Sequence, residues 1–157
     1  MRVRICAVGR LPARDPERAL VDDYLKRAGA AGRRLGLTPF EEHEVDPRKH
    51  ADPEAEGAAL VALVPGGAAR IALDERGRLL SSTGLAAQLA AWRDRGRPAA
   101  AFLIGGADGL HPPLRDEADL VLSFGPMVWP HALARAMLAE QLYRATQILS
   151  GTPYHRA

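Results

Sequence analysis

Short apolar runs alternate with longer amphipathic stretches along the whole chain. Residues 3–9, "VRICAVG", are β-formers closed by a glycine and predict a buried strand. Residues 15–28 predict a helix: Asp15 is the candidate cap and Pro16 takes the first helical position. Leu20, Tyr24 and Ala28 line one apolar face, with Val21 and Leu25 beside them. Residues 37–45, "LTPFEEHEV", alternate well enough for a second strand, and Pro39 assigns it to a sheet edge. A polar connection leads to a helix over 53–64, then a third strand in "RIALD". A helix follows over 81–95, with Leu85, Leu89 and Trp92 on one side and Ser82 as its candidate cap. "AAFLIGG" is the fourth strand, residues 110–117 a short helix, "DLVLSFG" the fifth strand, and residues 130–149 a long last helix before a short tail.

Strands thus alternate with helices five times, and the inner strands are apolar throughout. That pattern predicts an α/β fold with a mostly parallel sheet covered by helices on both faces. At 157 residues the chain fits one domain spanning 1–157, and neither an internal repeat nor a linker divides it. Composition changes little: 47% apolar and 25% charged residues are ordinary globular values. A net charge of +2 is too small to imply a polyanionic partner by itself. The lone Cys6 has no disulfide partner and supplies no metal cluster, which fits a reducing, cytoplasmic setting. No run approaches a membrane span and no signal-peptide pattern opens the chain, so a soluble protein with no membrane partner is expected.

Candidate chemistry begins with the glycines. Ligands of such sheets sit beyond the carboxyl ends of the strands. Three glycine-bearing ends therefore stand out: Gly77, the pair Gly105–Gly106 with Gly109 close behind, and Gly125. A glycine pair reads either as a tight turn or as backbone left bare for a nucleotide-like cofactor. The phosphate-loop pattern is absent, and "GGADG" lacks the dinucleotide spacing and lies on a late strand. The last helix carries apolar residues and alanines around most of its circumference, so it is expected to be buried on more than one side, by a dimer partner or within the domain. Arg135, Glu140, Gln141 and Arg144 are set into it. Glu140 and Arg144 have the spacing of a plain intrahelical ion pair, yet a polar cluster in a buried helix is costly unless used. The tail "TPYHR" reads as frayed on composition alone. His43, His50 and His111 have no cluster around them, and metal-ligand spacing is absent.

Together "LIGGADGL", "LSFGPMVWPHALARAMLAEQLYRATQIL" and the terminal "YHR" resemble the RlmH family of SPOUT-type methyltransferases. "VRICAVGR" and "ALDERGRLLSS" fit the same family, so the resemblance covers nearly the whole chain. It implies a homodimer whose C-terminal part forms a deep trefoil knot. It also implies S-adenosyl-L-methionine as cofactor and N3 of pseudouridine 1915 in 23S ribosomal RNA, presented by the assembled ribosome, as substrate. Carried over by position, the cofactor contacts are Leu73, Gly105, Phe124, Gly125, Pro126, Met127, Val128 and Trp129. On this reading Gly105 lets the cofactor lie on the backbone. Relatives often carry threonine where this chain has Val128, a change that a backbone contact survives; Pro126 removes one N–H from the loop.

The resemblance makes Arg144 a catalytic or RNA-binding group and brings the tail beside the active site of the partner subunit. There Tyr154 stacks on a base, Arg156 meets phosphate and His155 helps to remove the imide proton. His131 is a weaker candidate that helps fix the loop. The cofactor carries the activation, so the reaction requires no metal. Rival readings are a knotted methyltransferase for another RNA nucleoside, a cofactor-binding dimer without catalysis, and a structural assembly factor.

Overall fold

The computed structural model describes residues 1–156. The elements run β1 (Arg2–Val8), α1 (Pro16–Gly32), β2 (Phe40–Val45), α2 (Pro53–Ala62), β3 (Ala69–Leu79), α3 (Ser82–Asp94), β4 (Ala99–Ile104), α4 (Pro112–Asp116), β5 (Leu120–Ser123) and α5 (His131–Leu149). The strands form one sheet in the order β2-β1-β4-β3-β5, and every neighbouring pair is parallel. The expected α/β class and the edge position of β2 both hold.

Alternation along the strands sorts the core into two faces. Val3, Ile5 and Ala7 of β1, with Phe102 and Ile104 of β4, pack under α1, α3 and α5. Cys6 and Val8 point the other way, with Leu103, onto Leu60 of α2 and Leu114 of α4. Burial pushes the Cys6 thiol up to about 12, so it stays protonated and packs as a small apolar group.

Several local expectations shift. The core stripe of α1 is Val21, Leu25, Ala28 and Gly32, while Leu20 remains about half exposed. Asp15 is the N-cap of α1 without a side-chain hydrogen bond. The cap of α3 is Ser81, whose Oγ accepts from the Gly84 N–H at 3.0 Å; Ser82 lies inside the helix. Here the better cap is the residue still in extended conformation, which lets its hydroxyl reach back to the first turn.

β3 also runs further than "RIALD". Its register against β5 jumps between Leu73 and Arg78, both opposite Leu122, so residues 74–77 form an excursion from the ladder. A Cβ on Gly77 would meet the Val121 carbonyl at 2.7 Å. Gly77 therefore serves the close approach of two strands.

Candidate functional site

The connection from β4 to β5 crosses the carboxyl end of β3, so the ends of three strands and their loops converge there. They enclose a cleft of about 730 Å3. Leu73, Gly105, Phe124, Gly125, Met127, Val128 and Trp129 all line it, and of the eight expected cofactor contacts only Pro126 does not. Ile104 and Leu110 extend the apolar wall, while Asp74, Glu75 and Asp108 supply acidic groups. Met127 and Val128 are 66% and 79% exposed, so this loop offers apolar surface with nothing of its own chain against it.

The two remaining glycine ends have different causes. A Cβ at Gly105 would collide with the carbonyl of Gly109, where the loop closes through the Gly106–Gly109 bridge. What presses on Gly105 is thus its own returning backbone, and the tight-turn reading applies to it. Gly125 differs: its φ of +113° is a left-handed conformation that side chains avoid, and a Cβ there would meet open space. Its backbone is left bare at the cleft, as is that of Gly109 at φ +79°.

Ser123 ties the site together. Its Oγ accepts from the Gly125 N–H at 3.0 Å and lies 3.0 Å from the Glu75 carbonyl, linking the β5 loop to the β3 excursion. Asp74 braces that excursion through Arg76 at 3.0 Å and Arg115 at 3.2 Å. The Arg76 hydrogen bond is the chief reason its carboxyl lies near 2 instead of 3.8. A depressed carboxylate stabilises the fold above its unfolded value and loses that contribution as pH falls through the folded one. Asp74→Asn is accordingly expected to lower the melting temperature at neutral pH, with the gap to the parent closing as pH drops from about 4 toward 2. Melting curves across that range, with a gap that did not narrow, would refute the assignment.

His131 opens α5 and lines the cleft. Beneath it Arg135 is fully buried: Nη1 donates to Glu44 at 2.7 Å and Glu42 at 3.1 Å, and Nη2 to the Gly9 carbonyl at 2.6 Å. Arg18 of α1 joins the same carboxylates, and Glu44 accepts the Leu11 N–H at 2.8 Å. Gly9, at φ +112°, leaves room for the imidazole, since a Cβ there would crowd His131 at 3.0 Å. Burial, then the Arg135 charge, lowers the His131 pKa and so favours the neutral ring. Sequence reasoning placed Arg135 with Glu140 and Arg144 in one cluster; the structure puts it on the opposite side of the helix. Arg18, Glu42 and Glu44 escaped notice because their apolar neighbours read as ordinary elements.

The expected catalytic group forms a second cluster outside the cleft. Arg144 Nε and Nη2 donate to Glu140 Oε1 at 3.0 and 2.6 Å, and Tyr154 Oη donates to the same oxygen at 3.0 Å. The guanidinium carbon lies 4.9 Å from the Tyr154 ring centre, and Nη1 lies 3.4 Å from His155 Nδ1. Tyr154 packs edge-on against Tyr143 at 4.8 Å. The tail is therefore docked, correcting its frayed reading, and Thr152 fastens the turn into it through Gln147. Between α1, α3 and α5 lies an apolar groove of about 550 Å3, with Leu20, Leu79, Leu133 and Met137 among its walls and Glu140 and Gln141 at its margin. Among the described residues no group of three His, Cys, Asp or Glu side chains is arranged to hold a metal ion, and no helix is long and apolar enough to cross a membrane.

Comparison with known proteins agrees with this architecture. Residues 1–155 match the family described as predicted SPOUT methyltransferase. The chain is 56% identical to the ribosomal RNA large subunit methyltransferase H of Ruegeria sp. (strain TM1040), over 99% of both chains. It is 58% identical to the proteins of that name from Dinoroseobacter shibae and Cereibacter sphaeroides, again over 99% of both chains. The solved structure of a probable methylase family protein from Haemophilus influenzae Rd KW20 shares the fold: its TM-score is 0.54 at 17% identity, covering 99% of this chain and 70% of that one. With the match running through both the cleft and the tail, the chain belongs to the SPOUT methyltransferase family, in its large subunit methyltransferase H branch.

Proposed function

We propose that the protein transfers the methyl group of S-adenosyl-L-methionine to N3 of pseudouridine 1915 in 23S ribosomal RNA, as a cytoplasmic homodimer acting on the assembled ribosome. The observation that carries this reading is the cleft at the ends of β3, β4 and β5, lined by seven of the eight residues the family resemblance assigns to the cofactor. The residues present fit that cofactor. Leu73, Ile104, Phe124 and Trp129 offer apolar walls for an adenine, Gly125 offers uncovered backbone, and Glu75 and Asp108 add acidic groups to the same lining. When bound, the cofactor supplies an electrophilic methyl group.

The chain's own part is orientation and charge. Methyl transfer to N3 would leave the S–CH3 electron pair on the departing thioether sulfur and would require N3 to lose its proton. Arg144 donates to a carbonyl oxygen beside N3 and so stabilises the anion that must form there. Tyr154 gives the base a surface to stack on, and Arg156 meets phosphate. His155 Nδ1 faces Arg144 Nη1 at 3.4 Å, and the guanidinium can only donate. His155 accepts the imide proton only after Nδ1 has left Arg144; otherwise the proton goes to solvent.

Arg144 and the tail lie outside the cleft of their own chain, which supports a site completed by a partner. The exposed Leu20, Leu79 and Leu133 around the α1–α5 groove support the same arrangement. β5 lies at the sheet edge beyond β3, yet α5 returns to pack on both α1 and α3, a path that supports the knotted C-terminal region.

The test is transfer of labelled methyl from S-adenosyl-L-methionine to assembled ribosomes lacking the modification, followed by mapping of the labelled nucleotide. Label at pseudouridine 1915 is the expected result. Label on another nucleoside would overturn the substrate. Binding of the cofactor without any transfer would leave the non-catalytic dimer as the correct reading.

A further inference from the structure

Arg144 and Tyr154 share one oxygen. Glu140 Oε1 accepts two hydrogen bonds from the guanidinium and one from the phenol, while Oε2 accepts from Gln141 Nε2 at 2.9 Å. Gln141 Oε1 in turn accepts from Ser82 Oγ at 2.7 Å. A continuous chain of hydrogen bonds thus runs from the first turn of α3, through two neighbouring residues of α5, to the tail. Glu140 is mostly buried, its side chain 19% exposed, so its charge is satisfied here by protein donors more than by water.

We propose that Glu140 is the positioning residue of the catalytic group. It sets the angle of the Arg144 guanidinium, holds the tail against α5 through Tyr154, and refers both to α3 through Gln141 and Ser82. The proposal deepens the functional reading above and rests on its assignment of Arg144 and Tyr154.

Three features support a role beyond a plain ion pair. First, an exposed Glu–Arg pair one helical turn apart leaves both side chains free to swing, whereas here the carboxylate is fixed from its other side by Gln141. Second, the carboxylate takes Nε and Nη2 on the same oxygen, and His155 faces Nη1. One N–H on each terminal nitrogen is left over for a substrate oxygen. The guanidinium is therefore presented with a defined plane and defined free donors. Third, the tail residues 153–156 have no helix or strand of their own, so their placement relies on such side-chain contacts. Tyr154 reaches Glu140 across 14 positions of sequence, and Tyr143 and Arg144 hold its ring from two sides.

Two readouts test the proposal: hydrogen exchange of the tail in the full-length protein, and steady-state methyl transfer to ribosomes with cofactor binding measured in parallel. In Glu140→Ala the amides of 154–156 are expected to lose protection. The kcat should fall roughly a hundredfold, the scale of a displaced catalytic group, while cofactor affinity stays within twofold. Glu140→Gln keeps an oxygen at the same reach and is expected to retain tail protection and most of the kcat. A melting temperature near that of the parent confirms that α5 still folds. If the tail keeps its protection in Glu140→Ala, or if kcat stays within twofold while the tail is released, the proposal is wrong. The exchange measurement needs no turnover. A parent protein that transfers nothing would therefore overturn the functional reading and still decide whether Glu140 holds the tail.

Discussion

Arg135→Met is expected to cost about 3–5 kcal/mol of folding stability, the range for breaking a buried ion pair from one side. For a chain of this size that lowers the melting temperature by roughly 6–20 °C. Methionine replaces much of the volume, so little of the loss comes from a cavity. The cost arises because Glu42, almost fully buried, and Glu44 lose a cation at hydrogen-bond distance, and the Gly9 carbonyl loses its donor. Arg18 stays beside both carboxylates, which places the loss nearer the lower end. Arg135→Lys should lie between parent and methionine variant, because one ammonium cannot span two carboxylates and a carbonyl as the planar guanidinium does. Combining Arg135→Met with Glu42→Gln should recover part of the stability, since one of the stranded charges is then gone. Denaturant unfolding of the four proteins measures this. A loss under 1 kcal/mol for Arg135→Met would show that water reaches the network in solution.

The same substitution should weaken cofactor binding. Arg135 connects three things beneath His131: the start of α5 just after the loop of residues 124–130, the β1–α1 turn at Gly9, and the edge strand β2. Without it, His131 keeps Gly9 beside its ring but loses the guanidinium 3.5 Å from Nδ1. Apolar packing holds the sheet, while this polar network holds the loops to one another.

These cases show how far the sequence could be read. Most strands were legible as short apolar runs and β2 by its alternation, and the parallel sheet followed from their alternation with helices. The order β2-β1-β4-β3-β5 was not, since pairing depends on contacts between distant segments. The same limit explains Gly77, which is fixed by the distant Val121 backbone, whereas Gly105 is closed on by Gly109 of its own loop. Gly109 and Gly125, each with a positive φ and open space where a Cβ would stand, have the open approach expected of a ligand-facing position. Arg135 was visible as a polar residue in an apolar helix, but its partner Glu42 lies 93 positions away, so its role was not. The expected cofactor contacts were assigned by resemblance, and the cleft brings seven of the eight together. Arg144, His155 and Tyr154 were assigned in the same way, and the single chain sets them apart from it.

That separation yields the largest effect we expect. If the cleft of one subunit is completed by Arg144 and the tail of the other, two defects should be repaired by each other. Arg144→Ala removes the donor that stabilises the reacting base, and transfer should fall by roughly 100- to 1000-fold, as for loss of an oxyanion donor. Gly125→Val forces a branched side chain to φ +113°, distorting the cofactor loop, and should abolish transfer by preventing cofactor binding. Co-expressed with different affinity tags, the two variants assort into mixed and unmixed dimers. In a mixed dimer one composite site combines the intact cleft of the Arg144→Ala subunit with the intact Arg144 and tail of the other, and the second site carries both defects. About half of randomly assorted dimers are mixed and each has one working site of two, so the unfractionated pool should regain about a quarter of the parent activity. Dimers purified through both tags should regain about half. A mixed dimer as inactive as its parents would place Arg144 in the cleft of its own chain, and the tail cluster would then have to travel to its own cofactor loop before reacting.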